Sequence, residues 1–364
     1  MPGTSRRALR SIHRLSLVAL AASGALSLSA CGSDAGPGLT GEDGGAPQGE
    51  AGPPPLADGA APTPDGAAPP PDPCQGARYS EALPPNSASL SGITYSSANA
   101  QTYVLSVLER RYPLGKAIVT GGLANTSLGN CIDRFLRDRS TGDAVIRQLS
   151  TIVHECGHFY DLADRSASSS TYHVRPPELT FKCSQGDAQG RGGVTFARSR
   201  ITRDAHASRR PACGGQSRPG CDTYADVYLD GNPDDTTFQG GDQGFNSVLE
   251  EATQYVNSLA TAYAFEDRYR GTRVSERDGI LTFQWYIERY LKLAKATYPQ
   301  AYKLLTEDPC WRKATLTVWD RGDFYLEQTR AMQNLGIDDV AIKALVDTPE
   351  LKAEIDALRA LECK

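Results

Sequence analysis

Between residues 32 and 73 the chain carries 11 proline and 10 glycine residues and no aromatic residue. Such a stretch cannot bury enough apolar surface to offset the entropy of ordering its backbone, so it has no means of folding by itself. It divides the 364 residues into a short N-terminal segment and one long part, residues 74–364, to which any core is confined. That length suffices for a core of one or two domains. Charge divides the same way. Residues 1–31 hold four arginines and no acid, the tract holds seven acids and no base, and residues 74–364 hold 34 basic and 36 acidic groups. The foldable part is nearly neutral and the whole chain stands at −5. No basic face for neutralising phosphates is indicated, so nucleic acid is not an expected partner.

Arg6, Arg7, Arg10 and Arg14 precede an apolar run of small residues from Leu15 to Ala30. This is the charged and apolar order of an export signal. The run is broken by Ser and Gly and is shorter than the roughly 20 residues that a spanning helix needs. It ends in Leu28-Ser29-Ala30-Cys31, which resembles a bacterial lipobox. The resemblance implies removal of residues 1–30 and lipid on Cys31, and hence an exported chain anchored to a membrane on its outer, periplasmic or cell-surface side. Residues 31–73 then serve as the tether, reaching about 35 Å as a coil and roughly 100 Å as extended polyproline II. Cysteine usage fits an oxidising compartment. Beyond Cys31 stand Cys74, Cys131, Cys156, Cys183, Cys213, Cys221, Cys310 and Cys363, an even set that suggests disulfides. Cys213 and Cys221, joined by a seven-residue Gly/Pro-rich loop, are the one pair that spacing suggests. There is no CxxC pair, which argues against a cysteine-built zinc knuckle.

The foldable part reads as α+β, mostly helical with a small sheet and a loop-rich insert. Tyr103, Val104, Val107 and Leu108 recur at helical spacing within 98–111. The β-branched run Lys116–Thr120, closed by Gly121-Gly122, reads as a strand. Val145, Ile146, Leu149, Ile152, Val153 and Cys156 form one face of a helix expected over about 141–164. Residues 183–244 hold no long periodic segment, and short strands are expected around 179–182, 194–198 and 225–229. Helices are expected again over 246–264, 278–297, 320–334 and 349–361, the last with Thr348 as cap and Pro349 in its first turn. Phe283, Trp285, Tyr286 and Tyr290 follow helical spacing and are expected in the core.

One motif carries chemistry. His154-Glu155-Cys156-Gly157-His158 is an HExxH sequence within the periodic helix. Four residues make about one turn, so both imidazoles leave the same face and can hold a single Zn²⁺. Glu155 lies about 100° around the helix, beside the pair, where it can act as general base and acid toward water. Two histidines leave the ligand set incomplete. Asp164 follows His158 by six residues, but no breaker between them turns the chain back toward the metal. The alternative is a carboxylate from the later segment Ser247–Tyr255, where Glu250 and Glu251 are both candidates and spacing does not choose between them. Asn246, Ser247, Glu250, Thr253, Gln254, Asn257 and Thr261 form a polar stripe almost without charge, opposite Val248, Ala252, Val256 and Leu259. A solvated face normally carries Lys and Glu, so this stripe suggests the lining of a cleft.

HExxH with a distant glutamate on a second helix resembles the gluzincin metallopeptidases. The form His-Glu-x-Gly-His-x-x-Asp, here His154 to Asp161, is similar to the anthrax lethal factor catalytic-domain group. The resemblance implies a zincin-like fold over residues 74–364, one Zn²⁺ on His154, His158 and Glu250 or Glu251, water activation by Glu155, and a protein or peptide substrate. The segment between the two helices is long, and Gln254 or Tyr255 stands where a supporting acid is common. The rival readings are a lipoprotein that uses the same scaffold only for binding, and a zinc amidase acting on cell-wall material. Other features carry less. His173, His206, Tyr160 and Tyr255 are possible oxyanion donors. Asp230–Asp235 reads as a turn rather than a Ca²⁺ loop, since it lacks the required Gly and Glu. Arg321-Gly322-Asp323 reads as an incidental string, and Cys156 as a core or disulfide residue rather than a nucleophile.

Overall fold

The computed structural model describes residues 79–166, 168–184, 197–216, 218–230, 244–269 and 273–363. The export segment, Cys31, Cys74, the Pro/Gly tract, most of the strand expected at 194–198 and residues 231–235 of the suspected turn lie outside them. In chain order the helices are α1 (Ala100–Arg111), α2 (Pro113–Ala124), α3 (Cys131–Phe135), α4 (Gly142–Ile146) and α5 (Leu149–Ala163). A hairpin of β1 (Ser169–Arg175) and β2 (Leu179–Ser184) follows, then α6 (Ala225–Tyr228), α7 (Phe245–Ala264) and α8 (Glu276–Thr297). The chain closes with α9 (Pro299–Glu307), α10 (Pro309–Gln328), α11 (Asp339–Val346) and α12 (Pro349–Glu362). The result is mostly helical with a small sheet, compatible with α+β. Among the described residues the sheet is this one antiparallel pair, with Ser170 opposite Cys183 and His173 opposite Thr180.

Three expectations fail for identifiable reasons. Lys116–Thr120 is helical, inside α2. Pro113 sets the first turn, and Ile118, Val119 and Gly122 are buried against α5; tertiary packing outweighs the weak β preference of branched residues. The two glycines that looked like a strand terminator allow a close helix crossing instead. A Cβ on Gly122 would stand 2.2 Å from the carbonyl oxygen of Cys156, and one on Gly121 would meet the Tyr160 ring. Of residues 225–229, Ala225–Tyr228 form the short helix α6, started by Asp222, whose Oδ1 accepts from the backbone N–H groups of Tyr224 and Ala225. The helix expected over 141–164 is two helices. Gln148 interrupts it because its side chain donates to the carbonyls of Ala144 and Asp138 and accepts from the N–H groups of Arg137 and Asp138. Smaller departures follow the caps. α10 starts at Pro309, where Asp308 caps Cys310 N–H, and ends at Gln328, so it is displaced from the expected 320–334. Thr348 precedes α12 without making a capping bond. Of the strand expected at 194–198, Arg198 instead begins a 3₁₀ turn over Arg198–Arg203.

The core is continuous through the helices and takes in Phe283, Trp285, Tyr286 and Tyr290, as their spacing implied. α7 runs through its middle and touches α5, α8, α10 and β1. Cys131–Cys156 staples α3 to α5, Cys183–Cys310 staples β2 to α10, and the Cys213–Cys221 pair forms as its spacing suggested. The Arg321-Gly322-Asp323 string lies inside α10, and Arg321 is fully buried. It binds Glu81 at 2.9 and 3.1 Å and Asn257 at 2.7 Å, tying the extended N-terminal segment to α10 and α7. Burial would raise the Glu81 pKa, but the Arg321 charge outweighs it and holds the carboxylate ionised.

The α2–α5 crossing provides a test. Because the obstacle at Gly122 is backbone and not a movable side chain, Gly122→Ala is expected to destabilise by about 1–3 kcal/mol or more. The shift in the urea unfolding midpoint, with an unchanged slope, would register it.

Candidate metal centre

α5 brings His154 and His158 to its α7-facing side because they are one turn apart and its other face is occupied by the apolar residues that meet α2 and α3. Their Nε2 atoms stand 3.1 Å from each other. Glu251, on α7, places Oε2 at 3.4 Å from His154 Nε2 and 3.3 Å from His158 Nε2. The ligand atoms of the three residues lie within 4.8 Å of one another, and all three residues are buried, so the group can hold a metal ion. It is the only such group among the described residues.

Glu250 and Glu251 therefore divide the work that spacing left undecided. Glu251 faces both imidazoles, whereas Glu250 Oε1 lies 3.1 Å from His158 Nδ1, on the far side of that ring. A carboxylate only accepts, so His158 Nδ1 donates and the lone pair falls on Nε2. His154 is oriented in the same manner. The Ser258 hydroxyl donates to the Ser150 carbonyl at 3.3 Å and so accepts from His154 Nδ1 at 3.2 Å. Both lone pairs are thereby directed at one point, the arrangement in which outer partners fix metal-binding histidines. Asp164 is not brought there. It caps the end of α5, is half exposed, and binds His173 Nε2 at 3.0 Å.

The donor set fits a cation on its own evidence. Two imidazole nitrogens aimed at each other at 3.1 Å need a proton or a metal between them. Glu251 Oε2 is buried without a well-formed hydrogen bond. Burial alone would raise the Glu251 pKa, but the two imidazoles outweigh it and hold the carboxylate well below its usual range. Burial would lower His158, and Glu251 with Glu250 more than reverses that, so the metal-free site keeps a proton on this ring. Two nitrogens and one carboxylate oxygen make a ligand set suited to a divalent transition metal with open positions. Glu155 is 1% exposed, and its Oε1 has no hydrogen-bond partner. A buried carboxyl without a partner is costly, and it persists next to the histidines.

Behind the ligands runs a polar network that the sequence had shown only as a stripe. Asp161 Oδ1 accepts from the His173 backbone N–H and from His173 Nδ1, both at 2.8 Å. Its Oδ2 accepts from Gln254 Nε2 at 2.8 Å. Gln254 Oε1 in turn accepts from Asn257 Nδ2 at 3.0 Å, and Asn257 Oδ1 accepts from Arg321. Asn246, Ser247, Thr253, Gln254, Asn257 and Thr261 are all buried, so the stripe packs against neighbouring elements and lines no open cleft. Gly157 fills the fourth motif position because Gln254 leaves no space: a Cβ there would stand 1.9 Å from Gln254 Oε1.

The suspected oxyanion donors are distributed differently. His173 has both ring nitrogens engaged by aspartates and stacks on Tyr160 at 3.6 Å between centroids. His206 faces Glu350 of α12. Tyr255 alone of the four touches the histidine pair, its ring edge-on to His154 at 4.7 Å and its hydroxyl 2.9 Å from that of Tyr228. Ser258 and the Asp161–Gln254 link are the supporting residues that sequence reading missed. Their one signal was the lack of Lys and Glu along the stripe. Comparison with family models, curated proteins and solved structures found no match for this chain.

The metal-free chain is expected to take up about one divalent transition-metal ion, with His158→Ala or Glu251→Gln abolishing uptake. Glu250→Gln and Ser258→Ala, which release an imidazole without removing a ligand, are expected to weaken it about 10–100-fold. Competition with a chromophoric chelator reads both. Affinity should fall as pH drops through the raised titration of His158, because the ion must displace the proton that this ring retains.

Proposed function

We propose that the chain is a zinc-dependent metallopeptidase of zincin type, exported and tethered as a lipoprotein through Cys31. One observation carries the reading: two imidazoles one helical turn apart, each oriented from behind, converge with Glu251, and Glu155 between them in the motif is buried with an unpartnered Oε1. His154, His158 and Glu251 would hold the ion. Bound there, zinc supplies Lewis acidity, lowering the pKa of water toward about 7 and polarising a carbonyl.

The remaining steps belong to the chain. Glu155, without a competing partner, takes the proton of the attacking water and returns it to the leaving amine. Glu250 and Ser258 keep the imidazoles from rotating as charge shifts around them. The Tyr255–Tyr228 hydroxyl pair, whose Tyr255 ring lies against His154, would be the neutral donor set for an oxygen that becomes negative. Export is supported by the Arg-then-apolar N-terminus, and the Cys131–Cys156, Cys183–Cys310 and Cys213–Cys221 disulfides suit an oxidising compartment.

The test is Glu155→Gln, assayed on unfolded protein and on a mixed peptide library. The variant should retain its fold and its metal and lose about 10²-fold or more in hydrolysis. Undiminished cleavage by the variant, or a metal-loaded wild type inert to both substrates, would overturn the reading.

A further inference from the structure

Glu288 sits in the middle of α8 with no exposure, and neither of its carboxylate oxygens has a hydrogen-bond partner. It lines a cavity of about 170 Å³ bounded by α8, α10, α11 and α12, which shares no residue with the metal centre. The walls next to it are Trp319, Val346 and Ile355, all buried. Asp323, Asp347 and Asp356 stand at the rim and are exposed. Three cations also border the cavity, but Lys343 is engaged by Asp347 and Arg359 by Asp320, which leaves Lys352 against the remaining acids. A mouth of mixed charge thus opens beside buried apolar side chains and the Glu288 carboxyl group.

This shape selects among ligands. A monatomic metal is disfavoured, because the only described group with converging ligand atoms is the His154–His158–Glu251 centre. An anion would gain nothing from Glu288, whose carboxyl already feels the charges of Asp347, Asp323 and Asp356. An ammonium group on an alkyl chain satisfies every part: its N–H donors pair the oxygens of Glu288, its carbons lie along Val346 and Ile355, and its charge suits the Trp319 face. An engineered cavity of about 150 Å³ accepts benzene, so the space takes a ligand of roughly six heavy atoms or more. We propose that this cavity is a second binding site, for an alkylammonium ion, supplied either as a free amine or as a lysine side chain.

Proton linkage gives the site a signature. Burial first, then the charges of Asp347, Asp323 and Asp356, opposed by Lys343, push Glu288 up to about 9. The empty site is therefore protonated at neutral pH, and an arriving ammonium must displace that proton. Affinity rises with pH up to that value.

The experiment is calorimetric titration of the full chain with 1,5-diaminopentane, with Nα-acetyl-lysine amide and with neutral pentanol. At least one amine is expected to bind saturably, more tightly at pH 8 than at pH 6, and to release protons as shown by buffer-dependent enthalpy. Glu288→Gln, isosteric and free of the buried ionisation, should weaken binding about tenfold or more. Asp356→Asn, on the exposed rim where folding is not at stake, should weaken it a few-fold. Stripping the metal centre with a chelator should change nothing, which separates this proposal from the peptidase reading. Preference for the diamine identifies a free amine as the ligand, and preference for the amide identifies a lysine side chain. Absence of saturable amine binding at millimolar concentration, equal binding of pentanol, or undiminished binding in both variants overturns the site.

Discussion

The packing of α5 on α7 is the contact on which the rest of the molecule depends. At its centre Gly157 lets Gln254 press directly against the helix backbone, and Gln254 reaches past it to Asp161. That approach sets the distance at which Glu251 meets the two imidazoles. A side chain at 157 would force the helices apart, and ligand atoms a few ångström from one another have no slack to absorb the movement. The apolar side of α5 is held just as closely, with Gly122 of α2 against the Cys156 carbonyl and the Cys131–Cys156 bond beside it. The motif helix is thus clamped from both sides, one clamp made of close backbone contact and the other of buried hydrogen bonds.

Along the network from Asp161 to Arg321 the buried polar groups are paired with one another. Asp161 receives three donors, Gln254 and Asn257 relay the network, and Arg321 with Glu81 closes it at the far end. Fully satisfied, such a network specifies one packing; partly satisfied, it would be costlier than an apolar core. The groups left without partners then become conspicuous. Glu251 Oε2 belongs to the metal centre, Glu155 is its neighbour in the motif, and Glu288, with neither oxygen paired, borders the second cavity. Of the other buried atoms without partners, Trp285 Nε1 and Thr282 Oγ1 are neutral; Glu155, Glu251 and Glu288 are carboxyl groups beside other ionisable side chains, where a ligand has most to offer.

The two places deal with buried charge in opposite ways. At the metal centre the imidazoles keep Glu251 ionised, and the carboxylates in turn keep a proton on His158 until a cation replaces it. At Glu288 no cation is near enough to prevail over burial and neighbouring acids, so the carboxyl holds its own proton. One set of carboxylates is stabilised by its partners, and the other stays neutral until a partner arrives.

What could be read from the sequence was whatever depends on local spacing. HExxH in an apolar periodic run places two imidazoles on one face in any helix, the short Cys213–Cys221 loop suggests its own closure, and α1, α7, α8 and α12 follow from their own periodicity. Where a residue's role depends on what lies across from it, spacing failed. Lys116–Thr120 reads as a strand until α5 is laid against it, and Gln148 reads as helix until its side chain finds the backbone at Arg137 and Asp138. Glu250 and Glu251 differ by one position and about 100° around the helix. Only the orientation of α7 against α5 turns one toward the ligand pair and the other toward the back of His158. Local periodicity says which residues share a face; which face meets which, and at what distance, is decided by packing among elements far apart in the chain.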